Sequence, residues 1–161
     1  IELGTDGACD TTLKAMHKGF TFDAVHQFNE ACVDLKIPIA HFIIFGGPDE
    51  TMDTINEGLE NIDSLKSCVV FPNIGLRILP GTSLQQRAIK EGLINSEDDL
   101  LRPVYYVSPN IDPKALEQQF TARFKRDLTR IFPPSAAVRG INLARQHGYK
   151  GVLWDTLIKF D

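Results

Sequence analysis

The residues best suited to chemistry in this chain surround a Gly-Gly-Pro turn. Residues 41–51 have the sequence HFIIFGGPDET, in which an apolar run rich in β-branched and aromatic side chains ends at the two glycines. An acidic pair and a threonine follow, and the pattern then becomes helical. This order predicts a buried strand, a tight turn and a helix N-terminus. Because ligands in α/β folds bind beyond the carboxyl ends of strands, where glycine admits close approach, the turn is a candidate site.

Arg77 is a second candidate, because it lies between the apolar residues Leu76 and Ile78. A guanidinium in an apolar interior is unfavourable without an anionic partner. Arg77 therefore either points inward, where it binds a carboxylate or phosphate group, or lies on an outer face beside an acidic residue of a helix. We favour the inward orientation, which predicts that Arg77 binds the substrate.

The histidines and cysteines do not have the spacing of a metal site. His41 alternates with Phe42 on the predicted strand, so it either faces the interior as a substrate-binding acid or base, or is a hydrogen-bonded core histidine. Three cysteines, 23 and 36 residues apart, indicate buried reduced thiols. No nucleophile elbow, Walker motif or dinucleotide glycine motif is present. The cysteines are Cys9, Cys32 and Cys68.

Composition excludes several classes of protein. The chain has 161 residues, 43% of them hydrophobic and 24% charged, which is typical of one globular domain rather than a disordered segment. A net charge of −4 argues against a nucleic-acid-binding surface. No run of 18 apolar residues and no secretory signal is present, so we expect a cytoplasmic protein without a membrane span. The first residues are strand-like and lack a methionine, which predicts a fragment of a longer protein.

Three strand–helix units must position these residues. Their alternation at about 30 to 35 residues per unit predicts an α/β fold with right-handed crossovers and a parallel sheet. Residues 113–131 form a further helix with apolar residues at i, i+4 spacing, and residues 135–147 form a last one. The predicted strands are 1–3, 39–45 and 68–79, the last interrupted by Pro72 and Gly75. The helices that follow them are 12–19, 21–36, 51–65 and 83–90.

Four segments in series are more informative than any one of them. They are residues 1–6 (IELGTD), 13–20 (LKAMHKGF), 41–51 (HFIIFGGPDET) and 75–82 (GLRILPGT). In this order they resemble the fourth strand, the helix after it, and the fifth and sixth strands of the radical SAM core. Among radical SAM proteins, the chain most resembles the B12-binding type associated with lipid biosynthesis.

The resemblance implies a partial (β/α) TIM-type barrel, made of its last three strand–helix units, plus a helical C-terminal extension. Residues 1–110 would be the C-terminal half of the core, and residues 111–161 the extension. The full-length enzyme would use a [4Fe-4S] cluster to cleave S-adenosylmethionine (SAM) reductively to a 5′-deoxyadenosyl radical. Cobalamin-dependent methyl transfer is an open alternative.

The resemblance also implies six cofactor-binding residues. Glu2 would accept hydrogen bonds from the ribose hydroxyls or the amino group of SAM, with Thr5 assisting, and Lys18 would neutralise the SAM carboxylate. Each has a structural alternative: a rim carboxylate paired with a lysine, a residue that starts a turn, and a cation at a helix C-terminus. The Phe45 ring and the glycine backbone would line the adenine, or the ring would belong to the core. The six residues are Glu2, Thr5, Lys18, Phe45, Gly46 and Gly47.

Two features depart from the family pattern. Asp49 replaces the usual glycine, which predicts a turn of different shape, and the CxxxCxxC cluster motif is absent. We therefore expect the isolated chain to be inactive, to pair with the upstream half of the same protein around a small-molecule substrate, and to self-associate alone. Two alternatives stay open: a barrel lyase that uses lysine, and a non-catalytic half-barrel assembly module.

Overall fold

The chain folds as an α/β protein around a three-stranded parallel sheet. The structure, a computed structural model, describes residues 1–160, so Asp161 of the predicted extension lies outside the described residues. The sheet contains β1 (Glu2–Asp6), β2 (Ala40–Phe45) and β3 (Val69–Ile74) in chain order. The predicted α/β class and parallel strands are confirmed. Closure of the sheet into a barrel stays a prediction.

Helices α1 (Asp10–Ala15), α2 (Phe22–Asp34) and α3 (Met52–Ser64) connect the three strands. Thr21 and Thr51 cap α2 and α3, each accepting a backbone N–H three residues ahead, as their positions before the apolar periodicity predict.

The apolar periodicity of α2 matches its buried face only in part. Phe28 is 42% exposed and Leu35, the C-cap, is 70% exposed, whereas the polar Asn29 is buried. Helix α1 ends earlier than predicted, because the chain turns at His17 with a positive φ of 56°.

The predicted strand 68–79 is confirmed as β3 as far as Ile74 and is wrong beyond it. Pro72 lies within β3, whereas the chain bends at Gly75, the second predicted interruption. Gly75 has φ +84°, and an added Cβ there would lie 3.1 Å from the Tyr106 carbonyl oxygen, so this bend requires glycine. Beyond the bend, β4 (Leu76–Arg77) pairs antiparallel with β5 (Tyr105–Tyr106) in a separate sheet. Helix α4 (Ser83–Lys90) buries Ala88 against this small sheet. We call residues 75–108 the hairpin unit.

Helix α5 (Pro113–Phe124) takes the place that the sequence assigned to α4. It buries Phe120 and Phe124 in the same core as α2 and α3, and it ends at Phe124 rather than residue 131. The chain then runs parallel beside β3, where Val70 N–H donates to the Thr129 carbonyl at 2.8 Å and Ile131 N–H donates to the Val70 carbonyl at 2.9 Å. Helix α5 is therefore the crossover helix of the third unit. The division at residue 110 stays a prediction.

The two faces of the parallel sheet have different cover. One face carries the main core beneath α2, α3 and α5. The other, which we call the inner face, bears Ala40, Phe42, Val69 and Phe71, and the C-terminal segment packs against it through Trp154. Helix α6 (Val138–Gln146) and a 3-10 turn (Trp154–Leu157) belong to that segment. Within residues 1–160, no helix is both long and apolar enough to cross a bilayer.

Candidate functional site at the carboxyl edge of the sheet

The three parallel strands end at one edge of the sheet, a region we call the carboxyl edge, and the outer two strands carry polar side chains there. Asp6 ends β1 and pairs with Ile43 of β2, while Ile44 pairs with Asn73 of β3. All of these but Ile43 are partly exposed. By strand alternation, Ile44 and Asn73 share the inner face with the aromatic residues below them. A carboxylate and an amide thus lie at the carboxyl ends of β1 and β3, on either side of β2. The carboxyl edge is the usual position of a ligand site in a parallel sheet.

An aromatic pair forms the floor below this edge. The Phe42 and Phe71 rings stack with centroids 4.9 Å apart and an interplanar angle of 11°. Gly4 pairs with Phe42 across β1 and β2, so the row has a side chain on only two of its three strands. The inner face therefore offers a flat apolar surface beside a position where a ligand meets only backbone.

Glu2 lies at the opposite end of β1 from the one the sequence predicted. It is the first residue of the strand, and its Oε1 accepts a hydrogen bond of 3.0 Å from Trp154 Nε1. The expectation of a Glu2 carboxylate at a strand's carboxyl end is therefore wrong in geometry. Asp6, four residues later, occupies that position.

Asp6 and Lys18 form an ion pair at the carboxyl edge. Both side chains are about 30% exposed, at 30% and 29%. Lys18 therefore lies next to a strand end, where its ion-pair partner Asp6 was not predicted. Asp6 was missed because the sequence analysis ended the first strand at residue 3, three residues before β1 ends.

Thr5 and His41 belong to a buried hydrogen-bond network on the helix-facing side of the sheet. Thr5 Oγ1 lies 2.9 Å from His41 Nδ1, and His41 Nε2 lies 3.1 Å from Asn29 Oδ1. Asn29 donates its amide to the Lys66 carbonyl, so its oxygen accepts from His41. Burial, together with the Arg130 charge, lowers the His41 pKa to about 4. This geometry favours the core-histidine alternative and gives no support to substrate binding by His41.

The predicted adenine wall is covered by other side chains. The Phe45 ring is fully buried and packs edge-on against Phe120 of α5, with centroids 4.8 Å apart. Gly46 and Gly47 are buried too, and added Cβ atoms would lie 3.1 Å from Val107 Cγ1 and 2.6 Å from Met16 Cε. The glycines therefore allow close packing of neighbouring segments, and the Phe45 ring cannot contact a ligand in this conformation.

Glu50, the second residue of the acidic pair that the sequence places at a helix N-terminus, is a further functional candidate. It is fully buried, and its Oε2 accepts the N–H groups of Gly46 and Gly47. Burial raises the Glu50 pKa to about 7, against the lowering effect of the two N–H donors. Capping of α3 is performed by Thr51 and Thr54 instead.

Arg77 is exposed, which contradicts the predicted inward orientation. It lies on β4 opposite Tyr105, in the hairpin unit rather than in the parallel sheet. Within residues 1–160 its guanidinium has no hydrogen bond or ion pair. An outer-face pairing with an acidic residue of a helix, the stated alternative, is not formed either.

Asp49 ties the turn to the hairpin unit. It adopts φ +63° and receives two hydrogen bonds, of 3.0 and 2.6 Å, from the Arg87 guanidinium. Arg87 also donates to Glu91, which accepts the Tyr106 hydroxyl at 2.8 Å. Hydrogen bonds from Arg87 lower the Asp49 pKa. The residue that replaces glycine in the family pattern thus holds α4 against the end of β2.

The side chains present here do not fit an iron–sulfur cluster. Cys9, Cys32 and Cys68 are all free and buried, and burial raises the pKa of each thiol. No group of three or more metal-ligating side chains occurs in the part of the chain that the structure describes. The Asp6–Lys18 pair does fit an amino acid moiety, since a carboxylate and an ammonium complement its two charges.

The fold and this edge define the class: an α/β protein with sequential parallel strands and its polar groups at their carboxyl ends. A comparison of this fold with solved structures adds a specific similarity. The chain matches the "radical S-adenosylmethionine methyltransferase, TsrM, from Kitasatospora setae with cobalamin and [4Fe-4S] cluster bound", with TM-score 0.68 and 16% identity. The match covers 97% of this chain and 37% of that enzyme.

At this identity the likeness concerns the fold. The chain therefore has the fold of part of a radical SAM enzyme, which confirms at the level of the fold the resemblance drawn from its motifs. It spans about 37% of the length of that enzyme. No protein-family model and no curated protein sequence matches the chain.

Proposed function

We propose that this chain is part of a radical SAM enzyme and supplies one wall of its SAM and substrate site. The observation that carries the proposal is the fold likeness over 97% of the chain, reached independently of the four motifs that occur in the family's order. Methyl transfer with cobalamin is the reaction we favour for the full-length protein, because the TsrM structure holds cobalamin.

The carboxyl edge supplies the groups for SAM binding. Asp6 would accept hydrogen bonds from the SAM ammonium or ribose, taking the role first given to Glu2, and Lys18 would pair with the SAM carboxylate. The Asp6 and Lys18 side chains already lie in contact, so both are held where a zwitterion would bind. Thr5 supports the end of β1 from beneath, through its hydrogen bond to His41.

Other roles follow from exposure. Arg77 is an exposed cation without a partner in residues 1–160, which suits an anionic group of a small-molecule substrate. Gly46 and Gly47 would support the site through the packing of Val107 and Met16 rather than line the adenine directly.

The cluster ligands and any cobalamin contacts would lie in the upstream half of the same protein. The three cysteines of this chain do not form a CxxxCxxC motif, and all three are buried. We expect the isolated chain to be inactive. The cytoplasmic location and the absence of nucleic-acid partners also stay proposals.

Binding of SAM tests the site. We expect SAM added to the ¹⁵N-labelled chain to shift the amide resonances of Gly4, Asp6 and Asn73. The Asp6→Asn substitution should weaken this binding about tenfold, the effect of one charge-assisted hydrogen bond. Asp34→Asn, at an exposed position of α2, is the matched control. Shifts that spare the carboxyl edge, or equal affinity in Asp6→Asn, would overturn the assignment.

An assay for SAM cleavage tests whether the isolated chain is inactive. After iron–sulfur reconstitution, the chain should release no 5′-deoxyadenosine from SAM, whereas the complete gene product should do so. Release by the chain alone would contradict its proposed inactivity, and a complete product without cluster or SAM cleavage would contradict membership of the class.

A non-catalytic assembly module is the second candidate. The partly exposed Phe42–Phe71 stack and the free edge of β1 favour association with another chain or a second copy. Lysine-dependent lyase chemistry receives no support, since none of the strands β1 to β5 contains a lysine.

A further inference from the structure

Glu50 is the acidic side chain that the proposed function leaves unused, and its surroundings are unusual. It is fully buried, and both N–H groups that follow the end of β2 donate to the same oxygen, Oε2, with the Gly47 bond at 2.8 Å. The other oxygen, Oε1, is the one buried side-chain polar atom of residues 1–160 without a hydrogen-bond partner. A buried carboxyl with one oxygen unpaired is unfavourable, so its presence requires a compensating role.

Helix capping does not account for this side chain. Thr51 is the N-cap of α3, and Thr51 and Thr54 satisfy each other's backbone N–H groups in a capping box. Glu50 precedes the cap and points back toward the turn. Its carboxyl therefore serves the turn rather than the helix.

The turn held by Glu50 is where three segments meet. The Gly46 carbonyl accepts the Ser108 N–H at 2.9 Å, and the Glu50 carbonyl accepts the Ser108 hydroxyl at 2.8 Å. The Phe45 carbonyl accepts the Gly75 N–H at 2.7 Å. Both ends of the hairpin unit, residues 75 and 108, are thus hydrogen-bonded to residues 45–50.

We propose that Glu50 is the positioning residue of the carboxyl edge: its carboxyl fixes the Gly46–Gly47 backbone and thereby sets where the hairpin unit, with Arg77 and Tyr105, lies. The close contacts make this coupling strict. Val107 and Met16 fill the space beside the two glycines, where added Cβ atoms would lie only 3.1 and 2.6 Å from them, so these side chains pack directly against the turn. The inference rests on the proposed function only where it treats this edge as a binding wall.

Among the ionisable side chains around the turn, Glu50 is the one that accepts its N–H groups directly. Cys9 on the α1 side is a buried thiol whose pKa is raised by burial and further by Glu57 and Glu50. From the hairpin unit, Arg87 is paired with Asp49 and Glu91 on the exposed side. Asp53 and Glu57 of α3 are exposed.

Three variants test the proposal by NMR without any ligand. In the wild type, the Gly46 and Gly47 amide protons should titrate together with a midpoint near that of the Glu50 carboxyl carbon. This titration should vanish in Glu50→Gln, while the Gly46–Val107 contacts persist, because a glutamine oxygen still accepts both N–H groups. In Glu50→Ala the contacts should be lost, the Tyr105 and Arg77 resonances should move, and Gly47 amide exchange should rise about tenfold. Glu60→Gln, an exposed position of α3, should match the wild type.

Two outcomes would overturn the proposal. One is wild-type glycine amides that do not follow Glu50, which needs no variant to fold. The other is a Glu50→Ala protein whose Val107 and Tyr105 resonances stay in place. Because these signals do not involve SAM, a failure of SAM binding would count against the proposed function alone.

Discussion

Two buried ionisable side chains, His41 and Glu50, have pKa values displaced toward their neutral forms. Burial lowers the His41 pKa from 6.5 to about 4 and raises the Glu50 pKa from 4.5 to about 7. In the folded state both groups are therefore largely uncharged where the unfolded chain would carry charges. Their effects on stability have opposite signs with pH, because one group is a base and the other an acid.

We predict that replacing His41 and replacing Glu50 change the pH dependence of the free energy of unfolding in opposite directions. Below its unfolded pKa, His41 binds a proton only in the unfolded chain, so its contribution falls by up to about 3 kcal/mol as pH drops toward 4. Glu50 keeps its proton in the folded chain up to about pH 7, so its contribution falls by about 3 kcal/mol as pH rises from 4.5.

Urea unfolding across this pH range is the measurement. Relative to the wild type, His41→Gln should gain stability as pH falls, and Glu50→Gln should gain stability as pH rises. An exposed position without a titratable group supplies the control: Gln118→Ala in α5 should leave the profile unchanged. Parallel profiles for all four proteins would contradict the two pKa shifts.

At the scale of elements, helix α5 is a component of the main core. Its residues Leu116 and Phe120 are fully buried, and Phe120 contacts the rings of Phe45, Phe124 and Phe132 with centroids 4.8 to 5.6 Å apart. The i, i+4 spacing of apolar residues predicted which side of α5 is buried. It could not predict that this side packs in the main core rather than in a separate extension.

Substitution on α5 tests this placement. Phe120→Ala should lower the free energy of unfolding by about 3–5 kcal/mol, because it leaves a cavity among aromatic rings. Leu128, which continues the i, i+4 spacing beyond the end of α5, is 75% exposed, so Leu128→Ala should change this free energy by less than about 0.5 kcal/mol. Equal, small losses in urea unfolding would indicate that α5 belongs to a loosely attached extension.

The Asp49–Arg87 ion pair links two elements, the turn after β2 and helix α4. Its geometry is bidentate, but Asp49 is 62% exposed, so solvent screening limits its strength. A double-mutant cycle with Asp49→Asn and Arg87→Gln should give a coupling energy of about 0.5–1 kcal/mol that declines at high salt. A coupling near zero at low salt would show that α4 is held by its apolar contacts alone.

For the whole molecule, the C-terminal segment covers part of the inner face. Trp154 packs with Ala40 and Val69 and donates to Glu2, a contact between residues 152 positions apart. Phe42 and Phe71 remain partly exposed beyond this cover. The covered area therefore decides how much apolar surface the chain presents to a partner.

We predict that Trp154→Ala increases self-association. Removing the indole exposes Ala40 and Val69 and frees the Glu2 carboxylate, so the apolar area of the inner face grows. Sedimentation velocity at several concentrations should show a larger associated fraction than for the wild type. Trp154→Phe keeps the apolar contact without the hydrogen bond and should behave like the wild type. An unchanged, monomeric Trp154→Ala would exclude this face as the association surface.

Local signals were sufficient for most elements. The apolar run before the glycines predicted β2, the threonines at 21 and 51 predicted the starts of α2 and α3, and helix α4 was predicted with the bounds it has. The order of four motifs indicated the fold that the comparison with a solved structure supports. Each of these signals lies within a few residues of the feature it predicts, because capping and periodicity act over one or two turns.

The composition of the candidate site was decided by contacts between distant residues. Alternation along β2 left open which face His41 takes, and only packing against Asn29 and Thr5 resolves it. Glu50 and Ser108 of the hairpin unit are hydrogen-bonded across a separation of 58 residues, and Glu2 and Trp154 across 152. The sequence by itself determined the α/β elements and their order, since these depend on neighbouring residues. Only the tertiary structure decided that Asp6 rather than Glu2 ends a strand at the carboxyl edge, and that Glu50 holds the turn, since burial and pairing depend on the whole chain.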